Sequence, residues 1–304
     1  MEAILLDAGS PESCHPLCAT RPLAACRVAD TTLGEAQKRR LAGAGFALPA
    51  APRPGALALF LPGDSWPSRD LLERLALVTA PCVVRDVAGG VLAWVGTALE
   101  PPAGAPSFPP SDASLRIRYP WDVLRIHEEL LSALTEDRIR GDLSSAAHVE
   151  GYLILGEGSR ILPGVFIEGN VVIGAGCKIG PNAYLRGCTT IGDRCHIGQA
   201  VEIKNSIILD ETSIGHLSYC GDSIIGARVN LGAGTITANF RHDGKSHRST
   251  VLGHLINTGR RKFGTIIGDG VHTGVHTSIY PGRKLWPGTS TRPGAVVDHD
   301  LLTE

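Results

Sequence analysis

The chain has 304 residues, of which 43% are hydrophobic and 5% aromatic, and its formal net charge at pH 7 is −1. This length allows one to three domains. The small net charge argues against nucleic acid or a membrane surface as the main partner, and no apolar run reaches the roughly 18 residues of a membrane span. The start lacks the basic residues of a signal peptide. Because the eight cysteines follow no framework spacing, we expect a cytoplasmic protein with reduced thiols.

Residues 1–112 predict a small α/β domain. Apolar strands are expected at 3–8, 56–61 and 81–95, the last broken at Gly89-Gly90, and helices near 33–42 and 69–77. Strands that alternate with helices favour a mainly parallel, Rossmann-like sheet. Five prolines between Pro101 and Pro110 indicate a stiff linker.

Residues 113–142 predict a linker that contains one helix. Tyr119-Pro120-Trp121-Asp122 opens it, with Asp122 as the expected N-cap. An apolar stripe continues as far as Leu134, and we expect the helix to end near Asp142.

A repeat of six residues dominates the rest of the chain, residues 143–304. Nine successive sixth positions are aliphatic: Leu155, Ile161, Ile167, Ile173, Ile179, Leu185, Ile191, Ile197 and Ile203. A period of six fits neither a helix nor an ordinary strand; it predicts the hexapeptide repeat of a parallel β-helix. Three hexapeptides form one coil, and coils stack about 4.8 Å apart with the aliphatic side chains inside. Glycine follows five of these positions, where we expect it to relax the backbone at the corners.

The repeat slips by one residue after Ile203 and is interrupted from Phe240 to Lys262, before it resumes at Ile267. A long excursion from a regular solenoid is usually functional. This one carries six cations: Arg241, Lys245, Arg248, Arg260, Arg261 and Lys262. We favour an anion-binding role for them over a solvated charge run.

Local motifs resemble a known family. The segments 215–222 and 229–240 resemble the acetyltransferase half of the bifunctional sugar-1-phosphate nucleotidylyltransferases, and 119–124 and 257–264 resemble its archaeal-type branch. The resemblance covers roughly residues 113–298. It implies a left-handed β-helix, a homotrimer, and acetyl-CoA-dependent N-acetylation of an amino-sugar 1-phosphate of the glucosamine 1-phosphate type.

The resemblance also implies roles for individual residues. His216 falls on the general base, and Asn239 on a residue near the reacting amine that could stabilise the oxyanion. Arg186 and Lys204 fall on the positions that hold the sugar phosphate. The remaining matches are Tyr219, Asn230 and Lys245 for substrate, and Ala233 for acetyl-CoA. An imidazole suits proton removal near neutral pH, and Arg and Lys suit a phosphate. Each residue alone could instead be an ordinary corner or surface residue.

The N-terminal domain departs from the family. In the family, this domain carries a glycine-rich loop that binds the nucleotide phosphates. The corresponding residues 5–12 of this chain contain one glycine and no arginine. The segment 15–24, with Thr20-Arg21, resembles a variant branch. We therefore expect a reduced module, and Mg²⁺ would be needed only if it were active. Two alternatives stay open: a sugar-1-phosphate nucleotidylyltransferase, and a non-catalytic trimer that binds a phosphosugar or coenzyme A.

Metal sites are not expected. Cys14, Cys18 and Cys26 with His15 match no paired C-x-x-C spacing. His272 and His276 are four residues apart, but on a solenoid this is not helical ligand spacing, and we interpret both as surface residues.

Overall fold

The computed structural model describes residues 1–110 and 113–303. The chain divides into two compact units, the first formed by Met1–Pro11, Pro22–Cys26 and Thr31–Arg118, the second by Glu12–Arg21, Arg27–Asp30 and Tyr119–Glu304. The change of unit therefore falls between Arg118 and Tyr119. The finer boundaries at 112 and 142 stay predictions. None of the helices in the described ranges combines the length and hydrophobicity that a membrane crossing requires.

The first unit is the predicted small α/β unit, but its sheet is mixed rather than mainly parallel. Its five strands lie in the order Glu2–Leu5, Ala58–Leu61, Val91–Gly96, Cys82–Arg85 and Ser107–Phe108. The two outer pairs are parallel and the two inner pairs antiparallel. The expectation of a parallel sheet was wrong because the turn at Gly89-Gly90 folds two strands into a hairpin, whose strands must run in opposite directions.

Two helices belong to the first unit, α1 (Leu33–Gly43) and α2 (Arg69–Leu75). The side chains of Thr32 and Ser68 accept hydrogen bonds from the first turns of α1 and α2, and thus cap them. The shortest elements of the N-terminal region are Glu12–Cys14, Leu23–Ala25, Arg27–Val28, Thr31–Thr32, Ser65–Trp66 and Leu115–Arg116.

The third helix, α3 (Pro120–Ser132), differs from the prediction at both ends. Tyr119 is the N-cap, and the Asp122 carboxylate, three residues on, accepts a hydrogen bond from the Tyr119 backbone N–H at 3.0 Å. The expected end near Asp142 was wrong because Arg138–Ile139 already pairs with the next coil as a β-strand.

The second unit contains a parallel β-solenoid of about nine turns with three faces. The first face consists of Arg138–Ile139, Leu153–Leu155, Val171–Ile173, Thr189–Ile191, Ile207–Ile208, Ile224–Ile225, Ile266–Ile267 and Lys284–Leu285. The second face consists of Asp142–Leu143, Arg160–Ile161, Lys178–Ile179, His196–Gln199, Ser213–His216, Asn230–Leu231 and His272–Thr273. The third face consists of His148–Glu150, Phe166–Glu168, Tyr184–Arg186, Glu202–Lys204, Tyr219–Gly221, Ile236–Thr237, Ser278–Ile279 and Val296–Val297.

The predicted ladders form the solenoid core. All nine aliphatic positions of the repeat are at most 2% exposed. The one-residue slip is also confirmed, because Arg186 pairs with Lys204 whereas Thr190 pairs with Ile207, which shortens the corner after Lys204 by one residue. Each inward side chain is thus covered by those of the coils above and below, which is why a single coil is not stable alone.

Of the five glycines that follow repeat positions, Gly180 has the expected positive φ, at 94°, and the other four do not. Gly156 and Gly198, which follow two of the repeat positions, do not have positive φ. A Cβ at either residue would clash with the backbone of the neighbouring coil, at Gly174 or Gly215. Glycine here permits close stacking of the coils rather than an unusual backbone conformation.

The excursion is a β-hairpin that leaves the solenoid without disturbing its stacking. Arg248–Val251 pairs antiparallel with His254–Asn257, and an antiparallel bridge joins Phe240 to Lys262 at its base. Ile225 pairs directly with Ile267, so the coils on either side are neighbours.

The ladder predicts a large difference between two identical substitutions. Leu185→Ala removes a side chain that is 0% exposed, whereas Leu255→Ala removes one that is 52% exposed on the hairpin. We expect Leu185→Ala to lower the free energy of unfolding by about 3 kcal/mol through lost burial and a residual cavity, and Leu255→Ala to lower it far less. Urea unfolding followed by circular dichroism measures both; equal losses would contradict the assignment of Leu185 to the core.

Candidate functional site

The third face places two cations side by side. Arg186 pairs in register with Lys204 on the next coil. Because Leu185 and Ile203 point into the core, the alternation of a strand directs Arg186 and Lys204 outward. Neighbouring strands lie about 4.8 Å apart, so the two side chains can contact one anion together.

Two carboxylates, those of Glu202 and Asp222, lie next to these cations and offset part of their positive charge. Arg186 Nε and Nη2 each lie 2.7 Å from Glu202 Oε1, and Lys204 Nζ lies 3.7 Å from Asp222 Oδ2. Burial lowers the pKa of Lys204, and the Asp222 carboxylate opposes this shift. The nearby Lys262 and Arg186 cations lower the pKa of Lys204 further. An anion bound here would relieve the repulsion among three cations.

A network of polar side chains borders the cation pair. Asn239 Nδ2 donates to the Tyr219 hydroxyl at 2.9 Å and to Asp222 Oδ2 at 2.6 Å. Burial and the Asp222 carboxylate raise the pKa of Tyr219 to about 12, so its hydroxyl stays protonated at neutral pH. The carboxylate requires a donor, which fixes the orientation of the Asn239 amide. Both amide hydrogens are therefore used, and Asn239 Oδ1 is the atom left to accept a hydrogen bond from a ligand.

Sequence reasoning missed Asp222 and Gly221, although both lie next to the predicted residues. Asp222 is 4% exposed and also accepts from Asn205 Nδ2 at 3.1 Å, so it joins three polar side chains. Gly221 continues the Arg186–Lys204 ladder, and a Cβ there would clash with the Tyr219 hydroxyl. The signal was present: the pair Gly221-Asp222 ends the segment 215–222 on which the family resemblance depends.

His216 and Ala233 lie along one corner between the second and third faces. His216 ends a second-face strand, and Tyr219 begins the next strand on the third face. Gly234, next to Ala233, donates its backbone N–H to the His216 carbonyl at 3.1 Å, which places this corner directly above His216. His216 is exposed. The imidazole thus has access to a ligand at the edge of the third face.

The structure does not bring Asn230 or Lys245 into this group. Asn230 lies on the second face, in register with Ser213 and His272, and is exposed. Lys245 lies in the excursion and is exposed as well. In a single chain, the predicted site is therefore divided between two faces.

The six cations of the excursion do not act as one group. Lys262 lies close enough to Lys204 to lower the pKa of the Lys204 ammonium group. Three others are held within the chain: Arg241 by Asp243, Arg260 by Glu128, and Arg261 by the Gly244 carbonyl. The anion-binding role predicted for the excursion is thus best supported for Lys262.

The Thr20-Arg21 motif makes its contacts within the second unit. Arg21 Nη2 lies 2.5 Å from Asp269 Oδ2, and the Thr20 hydroxyl donates to the same oxygen at 2.8 Å. Burial raises the pKa of Asp269, but these hydrogen bonds lower it more, so the pKa lies below its ordinary value. This arginine anchors the segment Glu12–Arg21 to a coil. Among the described residues, no three His, Cys, Asp or Glu side chains are grouped as a metal would require.

The buried carboxylate of Asp222 predicts a stability difference between two Asp→Asn substitutions. Asp222→Asn turns one acceptor into a donor that faces the amide of Asn205 or Asn239, so we expect about 1–3 kcal/mol of destabilisation. Asp243→Asn alters an exposed pair with Arg241 and should have little effect. Urea unfolding of both variants tests this; an unchanged midpoint for Asp222→Asn would contradict the network.

Comparison with known proteins gives matches over part of the chain. A family model described as the GMPPB C-terminal domain matches residues 161–281. A bifunctional sugar-1-phosphate nucleotidylyltransferase/acetyltransferase from Sulfurisphaera tokodaii is 41% identical over 182 residues, which cover 60% of this chain and 45% of that protein. A bifunctional protein GlmU from Methanococcus maripaludis strain C7 is 49% identical over 185 residues, which cover 61% of this chain and 44% of that protein.

The match to a solved UDP-N-acetylglucosamine acyltransferase has 11% identity and a TM-score of 0.23, and it covers 54% of this chain and 66% of that structure. The matches to the Sulfurisphaera and Methanococcus proteins show that the chain spans less than half the length of these curated relatives. Over about 60% of its length, the predicted resemblance to the archaeal bifunctional sugar-1-phosphate nucleotidylyltransferase/acetyltransferases is confirmed.

Proposed function

We propose that this chain is an acetyl-CoA-dependent N-acetyltransferase that acts on an amino-sugar 1-phosphate, with glucosamine 1-phosphate as the type substrate. The observation that carries the proposal is the register of Arg186 with Lys204 on the third face, beside Tyr219 and its hydrogen-bond partner Asn239. The relative from Sulfurisphaera tokodaii, 41% identical, is named a bifunctional sugar-1-phosphate nucleotidylyltransferase/acetyltransferase, and the second activity in that name supports the proposal.

In the proposed reaction, Arg186 and Lys204 hold the phosphate, assisted by Lys262, while Glu202 and Asp222 limit their mutual repulsion. His216 removes a proton from the amine as its nitrogen attacks the thioester carbonyl. The C–N bond forms, the C–S bond breaks, and the imidazolium returns its proton to the departing thiolate of coenzyme A.

Asn239 has a modified role in this proposal. Because both hydrogens of its amide are used within the chain, its Oδ1 orients the amine, and a backbone N–H supplies the oxyanion donor. Ala233, at the corner above His216, lies along the thioester. The Tyr219 hydroxyl, held by Asn239, contacts the sugar.

A homotrimer is part of the proposal. Ile236 and Val296 lie on the outward ladder that also contains Tyr219, and they are 42% and 59% exposed. Exposed apolar side chains beside a polar site favour cover by another protein surface. A second copy would bring Asn230 and Lys245 of one chain towards the third face of its neighbour, which a single chain does not do.

The N-terminal region, residues 1–112, serves in this proposal as a structural or regulatory module without nucleotidyl transfer. The segment that corresponds to the phosphate-binding loop has one glycine, and Arg21 is engaged with Asp269. A sugar-1-phosphate nucleotidylyltransferase, an activity that the name of the Sulfurisphaera tokodaii relative also contains, is one alternative, and a non-catalytic binding trimer is the other.

Lys204→Met tests the phosphate contact. We expect kcat/KM for glucosamine 1-phosphate to fall about 10- to 100-fold, because a charge-assisted hydrogen bond is worth about 1.5–3 kcal/mol, while kcat/KM for glucosamine without phosphate changes little. The matched control is Lys38→Met on α1. Thiol release from acetyl-CoA measures each rate. Equal losses for both substrates would exclude phosphate binding by Lys204.

His216→Ala tests the general base. The loss of proton removal should lower kcat about 100- to 10,000-fold, whereas His254→Ala on the exposed hairpin should leave kcat unchanged. No thiol release from the unmodified chain with glucosamine or galactosamine 1-phosphate would overturn the proposal. Pyrophosphate release from a nucleoside triphosphate and a sugar 1-phosphate would then support the nucleotidylyltransferase. Binding measured by calorimetry, with no product formed, would support the non-catalytic trimer.

A further inference from the structure

Lys284 ends a buried apolar ladder on the outer side of the first face. The ladder runs through Ile207, Ile224 and Ile266, each at most 1% exposed, and Lys284 is the next residue in register. Lys284 is only 2% exposed. A buried ammonium group loses hydration that an isoleucine would not need, so a lysine at this position is costly unless an anion pairs with it.

The charge of Lys284 is poorly compensated within the described residues. No hydrogen bond or ion pair joins its Nζ to any of them; the Asp300 carboxylate accepts instead from the Lys284 backbone N–H at 2.9 Å. Nζ lies 5.9 Å from the ring centre of Trp121 and 6.0 Å from that of Trp286, at the outer limit of a cation–π contact. Burial lowers the pKa of Lys284 to about 8, and Asp300 opposes this shift.

Lys284 lines a cleft of about 450 Å³ in the second unit. The hairpin residues Thr250–Gly253, the last coils and the segment with Glu12 and His15 form its walls. The basic residues that line the cleft, besides Lys284, are Arg283, His15 and His299, and the acidic ones are Glu12 and Asp300. Its apolar lining includes Val251, Leu252, Trp286 and Leu302. This volume suits a small organic molecule.

We propose that this cleft is a binding site for a small organic carboxylate, whose anionic group pairs with Lys284 and whose apolar part lies against Trp286 and Leu252. The site is separate from the third-face cluster, because Lys284 belongs to the first face and Arg186 and Lys204 to the third. It therefore does not depend on the proposed acetyl transfer.

The probes are three molecules of the same shape: 4-fluorobenzoate, 4-fluorobenzyl alcohol and 4-fluorobenzylamine, each titrated by ¹⁹F NMR. We expect 4-fluorobenzoate to bind at least tenfold more tightly than the other two. Lys284→Met should weaken this binding at least tenfold, whereas Lys204→Met should leave it unchanged. Equal affinity for the alcohol, or unchanged binding in Lys284→Met, would overturn the proposal.

Two further measurements separate binding from a structural role. Since methionine suits the apolar ladder, Lys284→Met should unfold at the same or a higher urea concentration; a lower midpoint would assign Lys284 to the fold. In the unaltered chain, 4-fluorobenzoate should slow acetylation of Lys284 by an N-hydroxysuccinimide ester but not that of Lys178, as mapped by mass spectrometry. Equal rates with and without 4-fluorobenzoate would also overturn the proposal.

Binding should depend on pH because the carboxylate pairs with the protonated amine. We expect the affinity to fall about tenfold between pH 7 and pH 9, as Nζ loses its proton. The other charged or titratable groups that face Nζ or the cleft are Asp300, Arg283, His299, Glu12, His15 and Cys14. Affinity that is constant across this range would contradict the role of Lys284.

Discussion

The stacking of one coil on the next determines both the core and the candidate site of the second unit. Parallel pairing fixes which residue of a coil lies above which residue of the coil below, and the buried aliphatic ladders allow no other register, because a shift by one residue would turn them outward. Arg186 and Lys204 become neighbours for this reason alone. The site is therefore a product of the same hydrogen bonds that hold the core.

That constraint carries an electrostatic cost. Two cations one coil apart repel each other, and a third, Lys262, is brought near by the base of the hairpin. Glu202 and Asp222 reduce the repulsion, and Asp222 in turn holds Asn205 and Asn239. The excess of positive charge that is left favours an anionic ligand, and the carboxylates keep the site stable without one.

The sequence predicted those features that its period encodes. The nine core positions, the slip after Ile203 and the limits of the excursion all agree with the structure, because inward residues of a solenoid must recur at fixed intervals. The proximity of Arg186 to Lys204 was predicted through the family resemblance. The mixed sheet of the first unit, the early end of α3 and the close-packing role of Gly156 were not, since they depend on contacts between distant segments. Asp222 lies within the motif 215–222 but was not singled out, and no local motif marks Lys284, because the burial of both side chains depends on contacts between distant segments.

The most direct test of this account is a crystal structure of the chain with glucosamine 1-phosphate bound. We expect phosphate oxygens about 3 Å from both Arg186 and Lys204, with the amine directed towards the corner that carries His216. A phosphosugar bound away from the third face, with Arg186 and Lys204 still paired only to Glu202 and Asp222, would contradict it.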